Sequence, residues 1–147
     1  MIDATKGEGD IMRNQARVVI IGGGFAGLAA ARGLEKQELQ VVLLDKHNYH
    51  TFQPLLYQVA TGGLEPDSIA FPLRKRFNDV ENFYFRLAEV MKIHPDQNLI
   101  ETSIGDLDYD ELIIASGSTT NFFGNTKIQK FAMEMKSVPQ SLNIRSL

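Results

Sequence analysis

Gly22, Gly24 and Gly27 lie between an apolar run at residues 18–21 and a helix-forming stretch at residues 26–36. That spacing makes physical sense when a strand turns sharply at Gly22, a diphosphate approaches the backbone at Gly24, and a helix lies tight against its strand at Gly27. A side chain at any of the three would obstruct one of those steps. The N–H groups in the first turn of such a helix, including those of Phe25 and Ala26, have no partner within the helix and can hold an anion. The pattern predicts a strand–turn–helix unit that binds the diphosphate of a dinucleotide.

Glycine-rich turns also follow strands in proteins that bind nothing, so context has to separate the two cases. A second apolar run, residues 41–44, ends in Asp45, about 20 residues past the glycines, where a ribose-binding acid is expected. A carboxylate there accepts hydrogen bonds from both ribose hydroxyls and repels a 2′-phosphate, which favours FAD or NAD over NADP. The competing reading is an empty βαβ unit. Strand, glycines, helix, strand and acid in this order weigh against it.

With 147 residues and a net charge of −3, the chain suits one domain and has no basic face for nucleic acid. Its one short basic run, Arg74-Lys75-Arg76, reads as the end of a solvated helix. Cysteine is absent, which excludes a disulfide framework, a thiolate metal site and a cysteine nucleophile. His47 and His50 share a loop, but two histidines without clustered carboxylates do not make a metal site. Residues 1–16 are charged and lack an apolar stretch, so they read as a disordered tail and not as a signal peptide or membrane span. A cytoplasmic location is expected.

The fold expected is α/β. Arg17–Ile21 reads as a buried parallel strand, residues 25–36 as a helix, and Gln40–Asp45 as the second strand. Gly33 either permits a close helix contact or marks a boundary; the contact is the preferred reading. Residues 46–53 look irregular. Pro54 then starts a helix over residues 55–60 that Gly62 and Gly63 end, and residues 65–77 form two short helical pieces or one helix kinked at Pro72. Residues 86–94, the turn at residues 95–98 and residues 99–103 read as a hairpin, with Leu87, Met91 and Ile93 on one face, and residues 107–109 add a third strand. Residues 111–115 give a further buried strand. Beyond Asn121 the periodicity is poor, and only a loop with a helix near residues 140–146 is assigned.

Three stretches carry a resemblance to a known family: VVIIGGGFAG at residues 18–27, DKHNYHTFQPLLYQVATG at residues 45–62, and YDELIIASGS at residues 109–118. They resemble the amino-terminal part of type II NADH:quinone oxidoreductases, the single-subunit, non-pumping NADH dehydrogenases. The first and last stretches are common to two-dinucleotide flavoproteins, whereas the middle one is more specific. The resemblance implies a Rossmann-like FAD-binding three-layer fold, with a parallel sheet and a small antiparallel β-meander. It implies hydride transfer from NADH to FAD and reduction of a quinone by the flavin. The family is far longer than this chain, and its second, NADH-binding fingerprint has no counterpart here. Residues 17–125 are accordingly read as a partial FAD/NAD(P)-binding domain and residues 126–147 as a loop or linker toward a second dinucleotide-binding domain. On this reading the fragment alone does not turn over NADH and attaches to the inner face of the membrane only when intact. The lack of cysteine sets it apart from disulfide reductases and sulfide:quinone reductases.

The resulting candidate residues divide by role. Gly22, Gly24, Phe25, Ala26 and Gly27 form the diphosphate turn, Asp45 takes the ribose, and Lys46 flanks the ribose or adenine or is simply a surface lysine. By resemblance, Val90 offers its backbone to the adenine edge, or is an ordinary meander position, while Gln53 and Pro54 lie near the flavin and His47 and His50 are loop residues near the cofactor. Ala115, Ser116 and Gly117 are small enough to pass close to the diphosphate at the sheet's carboxyl edge, or form only a tight turn. Asp110 reads as a local turn cap, and the apolar face of Leu55, Leu56 and Tyr57 as core, not as a quinone path. A ferredoxin or rubredoxin reductase fragment and a non-catalytic ADP-binding module are the alternatives.

Overall fold

A computed structural model describes residues 15–147. Strand β1 (Arg17–Ile21) leads into helix α1 (Phe25–Leu34) and returns as β2 (Gln40–Asp45), with the two strands parallel from Arg17 against Gln40 to Ile21 against Leu44. Both strands are apolar on both sides because both sides are covered, as parallel strands require. Val19, Ile21, Val42 and Leu44 face one way, toward Ala88, Ile100 and Tyr109. Ile20, Val41 and Leu43 face the other, toward Ala31 of α1 and toward Leu73, Phe77 and Phe83.

The chain next makes β3 (Tyr49–Thr51), a 3-10 turn (Gln53–Leu55), α2 (Leu56–Ala60), a second 3-10 turn (Pro66–Ser68), β4 (Ala70–Pro72) and α3 (Leu73–Arg76). Strand β5 (Phe83–Leu87) then joins the parallel sheet beside β2. A three-stranded antiparallel meander follows, β6 (Val90–His94), β7 (Leu99–Thr102) and β8 (Gly105–Asp108), and β9 (Glu111–Ile114) pairs with β1. The parallel sheet runs β5-β2-β1-β9 between the meander and the helices. This is the three-layer, Rossmann-like α/β arrangement with a β-meander that the sequence led us to expect.

A buried cation anchors the edge of the sheet opposite the glycine turn. Arg17 is 6% exposed; its guanidinium donates to the Asp108 carboxylate at 2.5 Å and backbone carbonyl at 3.2 Å, and to the Gln40 side chain. Its backbone N–H donates to Asp110 Oδ2 at 2.7 Å. Asp110 therefore joins the end of the meander to the start of β1, a long-range link in place of the local turn cap expected. Buried charge persists where a partner and hydrogen bonds compensate its lost hydration, and here they knit three segments into one register.

Several expectations need correction. Residues 46–53 are not wholly irregular, because β3 pairs with β4 from Tyr49 against Pro72 to Thr51 against Ala70. Pro72 sits on that edge strand and caps α3, so the two helical pieces exist but a strand separates them. Residues 86–94 are not one hairpin strand. The chain leaves the parallel sheet after Leu87 and enters the meander at Val90, and Glu89, which interrupts the alternation, marks the crossing. Leu87 and Met91 are consequently exposed while Val90 and Ile93 pack inward. Strand β9 lies at the sheet edge, with Ile114 63% exposed, instead of being buried. Gly33 has no atom near its Cβ position and precedes the last residue of α1, so it marks a boundary and not a helix contact. Leu56 is core, as expected, but Tyr57 is exposed. All but the last two residues of the tail expected over residues 1–16 lie outside the described residues.

The last stretch holds the helix expected near residues 140–146 and a second one that was not expected. Helices α4 (Thr126–Phe131) and α5 (Val138–Arg145) are each opened by a side-chain cap, Asn125 accepting from the Ile128 N–H at 3.0 Å and Ser137 from the Gln140 N–H at 3.4 Å. Val138 packs on Leu56, Val59 and Ile69. Arg145 forks onto Glu65, with N···O distances of 3.0 and 3.3 Å.

Two measurements check these contacts. A Cβ at Gly27 would lie 1.8 Å from the Gly22 carbonyl oxygen, whereas one at Gly33 would meet open space. Gly27→Ala should destabilise the chain by roughly 2–3 kcal/mol or more, and Gly33→Ala should stabilise it by about 0.5–1 kcal/mol, both read by urea unfolding. The Arg145 hydrogen bonds and charge hold the Glu65 carboxyl below its ordinary range. The pair is thus intact above the usual Glu value of about 4.3 and is lost as pH falls through the lowered one. Arg145→Gln should move Glu65 back toward its ordinary value in an NMR titration.

Candidate functional site

The parallel register brings the carboxyl ends of three strands to one edge. Ile21 lies against Leu44 on one side and Ile114 on the other, so Gly22, Asp45 and Ala115 emerge together. The Gly22 N–H donates to the Leu44 carbonyl at 2.8 Å and the Ala115 N–H donates to the Ile21 carbonyl at 2.8 Å. Gly22 has φ +104°, and a Cβ there would come within 2.3 Å of the Ala115 carbonyl oxygen. Only glycine meets both demands.

Past Gly22 the chain turns directly into α1. Gly27 is buried where the helix crosses the Gly22 carbonyl, while Gly24, Phe25 and Ala26 are exposed at the helix start. Gly24 is the N-cap residue, has no side chain to cap with, and has no neighbour within 4 Å of its Cβ position. The free N–H groups of the first turn and the positive end of the helix dipole accordingly meet open space, the condition for holding an anion.

Asp45 reaches back across this corner. Its Oδ2 accepts from the Gly23 N–H at 2.6 Å and its Oδ1 from the His47 N–H at 2.7 Å, with His47 Nδ1 3.6 Å away. A carboxylate has about four lone-pair positions, so acceptor capacity remains for a ligand hydroxyl. His50 Nδ1 lies 3.0 Å from the Gly23 carbonyl oxygen, and the His50 ring meets the Phe25 ring edge-on at 4.9 Å. Gly23 was absent from the residues expected at the site, because the fingerprint leaves its position free. It is nonetheless buried, a Cβ there would strike the Leu73 side chain at 2.6 Å, and both its peptide groups are held.

The remaining expected residues border this corner. Lys46 is exposed beside Asp45. The Ala88 N–H donates to the Asp45 carbonyl at 2.9 Å, and Val90 opens β6 just beyond it. Ala115 is half-buried against Gly22, with Ser116 and Gly117 exposed after it. Gln53 and Pro54 form the exposed 3-10 turn, where the Gln53 side chain donates to the Lys136 carbonyl at 3.4 Å; the Lys136 ammonium in turn donates to Ser118 Oγ at 3.0 Å. Glycine turn, acid and small-residue loop meet directly, and the Gln53 turn joins the same edge through Lys136.

Known proteins resemble this chain in sequence and in fold. The chain is 37% identical over 145 residues to the type II NADH:quinone oxidoreductase NdhA of Mycobacterium tuberculosis, matching 96% of this chain and 31% of that protein. Among solved structures, the sulfide:quinone oxidoreductase from the hyperthermophilic bacterium Aquifex aeolicus superposes with a TM-score of 0.81 at 27% identity, over 89% of this chain and 31% of that one. NDH2 from Plasmodium falciparum in complex with NADH also gives a TM-score of 0.81, at 25% identity over 89% of this chain and 28% of that one. The chain thus spans about a third of the length of the relatives it matches. With residues 16–144 fitting the family's model, the chain belongs to the pyridine nucleotide-disulphide oxidoreductase family.

Proposed function

We propose that this chain is the FAD-binding part of an NADH dehydrogenase that passes electrons from NADH through FAD to a quinone. The observation that carries the reading is the open row of N–H groups at Gly24, Phe25 and Ala26 beside the Asp45 carboxylate, in a chain 37% identical to a type II NADH:quinone oxidoreductase. The residues present fit a dinucleotide: side chains leave the corner at Gly24 clear, and the acid is aimed into it.

Bound FAD supplies the electron-transfer chemistry, and the protein supplies binding, orientation and electrostatics. In this reading Gly22, Gly24, Phe25, Ala26 and Gly27 take the diphosphate, and Asp45 takes the ribose while holding the turn through Gly23. Lys46 flanks the adenosine, Val90 meets the adenine edge through its backbone, and Ala115, Ser116 and Gly117 pass close to the diphosphate. Gln53 and Pro54 lie toward the flavin ring. The sequence contains no cysteine, so no dithiol of this stretch relays electrons. It carries one glycine fingerprint, which leaves the contacts to NADH and quinone to the portion of the full-length relatives that it does not span. Among the described residues no helix is long and apolar enough to cross a membrane. Membrane attachment, at the inner face, falls to that same portion.

A binding series tests the site. The chain should bind ADP and FAD with similar, weak affinity, since the adenosine diphosphate half makes the contacts and one wall of the site is lacking. Asp45→Ala should weaken ADP binding about tenfold or more while keeping the fold by circular dichroism. Unchanged affinity would remove Asp45 from the ribose. Electron transfer is tested by placing this chain in the mycobacterial enzyme in place of its matching stretch. Flavin absorbance bleached by NADH and restored by quinone is expected; flavin that stays oxidised with NADH would overturn the dehydrogenase reading.

A further inference from the structure

We infer that His50 is a positioning residue for the diphosphate, acting by fixing the plane of the Gly23–Gly24 peptide. This rests on the reading of the glycine turn as a diphosphate site. A carbonyl oxygen only accepts hydrogen bonds, so the His50 nitrogen 3.0 Å from the Gly23 oxygen must carry a proton, which assigns the Nδ1–H form and leaves Nε2 as the other ring nitrogen. The peptide is trans, because the described residues contain no cis bond, and in a trans peptide the C=O and the following N–H point in opposite directions. Drawing the Gly23 carbonyl toward His50 therefore turns the Gly24 N–H away from His50.

That control matters because the peptides on either side are held elsewhere, and His50 is what holds the carbonyl of this one. Glycines flank it on both sides, so it has no Cβ of its own to limit its rotation; Gly23 packs against Leu73, and the Leu28 N–H holds the carbonyl of the next peptide, that of Gly24, at 3.0 Å. Asp45 holds the preceding peptide, through the Gly23 N–H at 2.6 Å, and leaves the Gly23 carbonyl to His50. His50 is itself restrained. It lies on β3 opposite Phe71, and its ring stands edge-on to Phe25 with an interplanar angle of 86°. The neighbouring His47 approaches Asp45 and not the turn. An anion site whose donors are already aligned avoids the ordering loss that a freely flipping glycine peptide would impose on binding.

The test compares His50→Phe, which keeps a ring of similar size but no donor, with His50→Asn, whose Nδ2 stands where Nδ1 did. ADP affinity is measured by calorimetry on the 147-residue chain, with adenosine, which lacks phosphate, as the control ligand followed by NMR shifts. His50→Phe should weaken ADP about tenfold and leave adenosine unchanged, His50→Asn should recover most of the loss, and wild-type His50 should show a protonated Nδ1 by nitrogen NMR. Three results would overturn the proposal: ADP binding unaffected in His50→Phe, equal losses for ADP and adenosine, or no recovery in His50→Asn. A wild-type chain that binds no ADP would sink the site reading and this proposal together, whereas a wild-type chain that binds while the variants behave alike sinks only the role of His50.

Discussion

The approach of α1 to the Gly22 carbonyl is the contact on which the rest of the molecule depends. Gly27 lets the helix lie where any side chain would collide, and Gly22 adopts a left-handed conformation that brings its backbone against Ala115. These two allowances place the amino end of the helix at the carboxyl edge of the sheet, beside the exit of β2. If either were lost, the free N–H groups would move away from the acid that faces them. Ligands of open α/β sheets gather at this edge because helix starts and strand ends converge there.

Asp45 has a second duty that a ligand-centred view overlooks. Holding the Gly23 N–H at 2.6 Å and the His47 N–H at 2.7 Å, it fixes both the glycine turn and the loop after β2. Together with His50 on the Gly23 carbonyl, it clamps the one glycine of the turn that the fingerprint leaves free. The opposite edge is fixed by the Arg17 and Asp108 pair and by Asp110, so the sheet is pinned at both ends while its upper corner stays open.

Much of this was legible in the sequence because the cues were local. The bounds of β1 and β2 follow from short apolar runs without alternation, and the start of α1 follows from the glycine spacing. The turn at residues 95–98 was marked by Pro95 and by Asn98, which takes φ +48°. What was missed depended on distant partners. Strands β3 and β4 are three residues each, too short for periodicity, and each exists because of the other. Strand β5 was merged with β6 because both are rich in β-forming residues; Glu89 was the local cue to the break, and pairing with β2 is what separates them. Helix α5 was expected near residues 140–146, but its seat, Val138 on α2 and an ion pair spanning 80 positions, was not, and α4 was missed. At the site, the resemblance placed His50 near the cofactor, but its hydrogen bond to Gly23 was hidden because it joins residues 27 positions apart.

The central claim is that a diphosphate rests against the backbone at the start of α1. The most direct measurement is a titration of the ¹⁵N-labelled chain with ADP and, separately, with adenosine, following every amide. The account predicts that the Gly24, Phe25 and Ala26 amides shift strongly with ADP and hardly at all with adenosine. ADP that shifts other amides and leaves these three in place would contradict it.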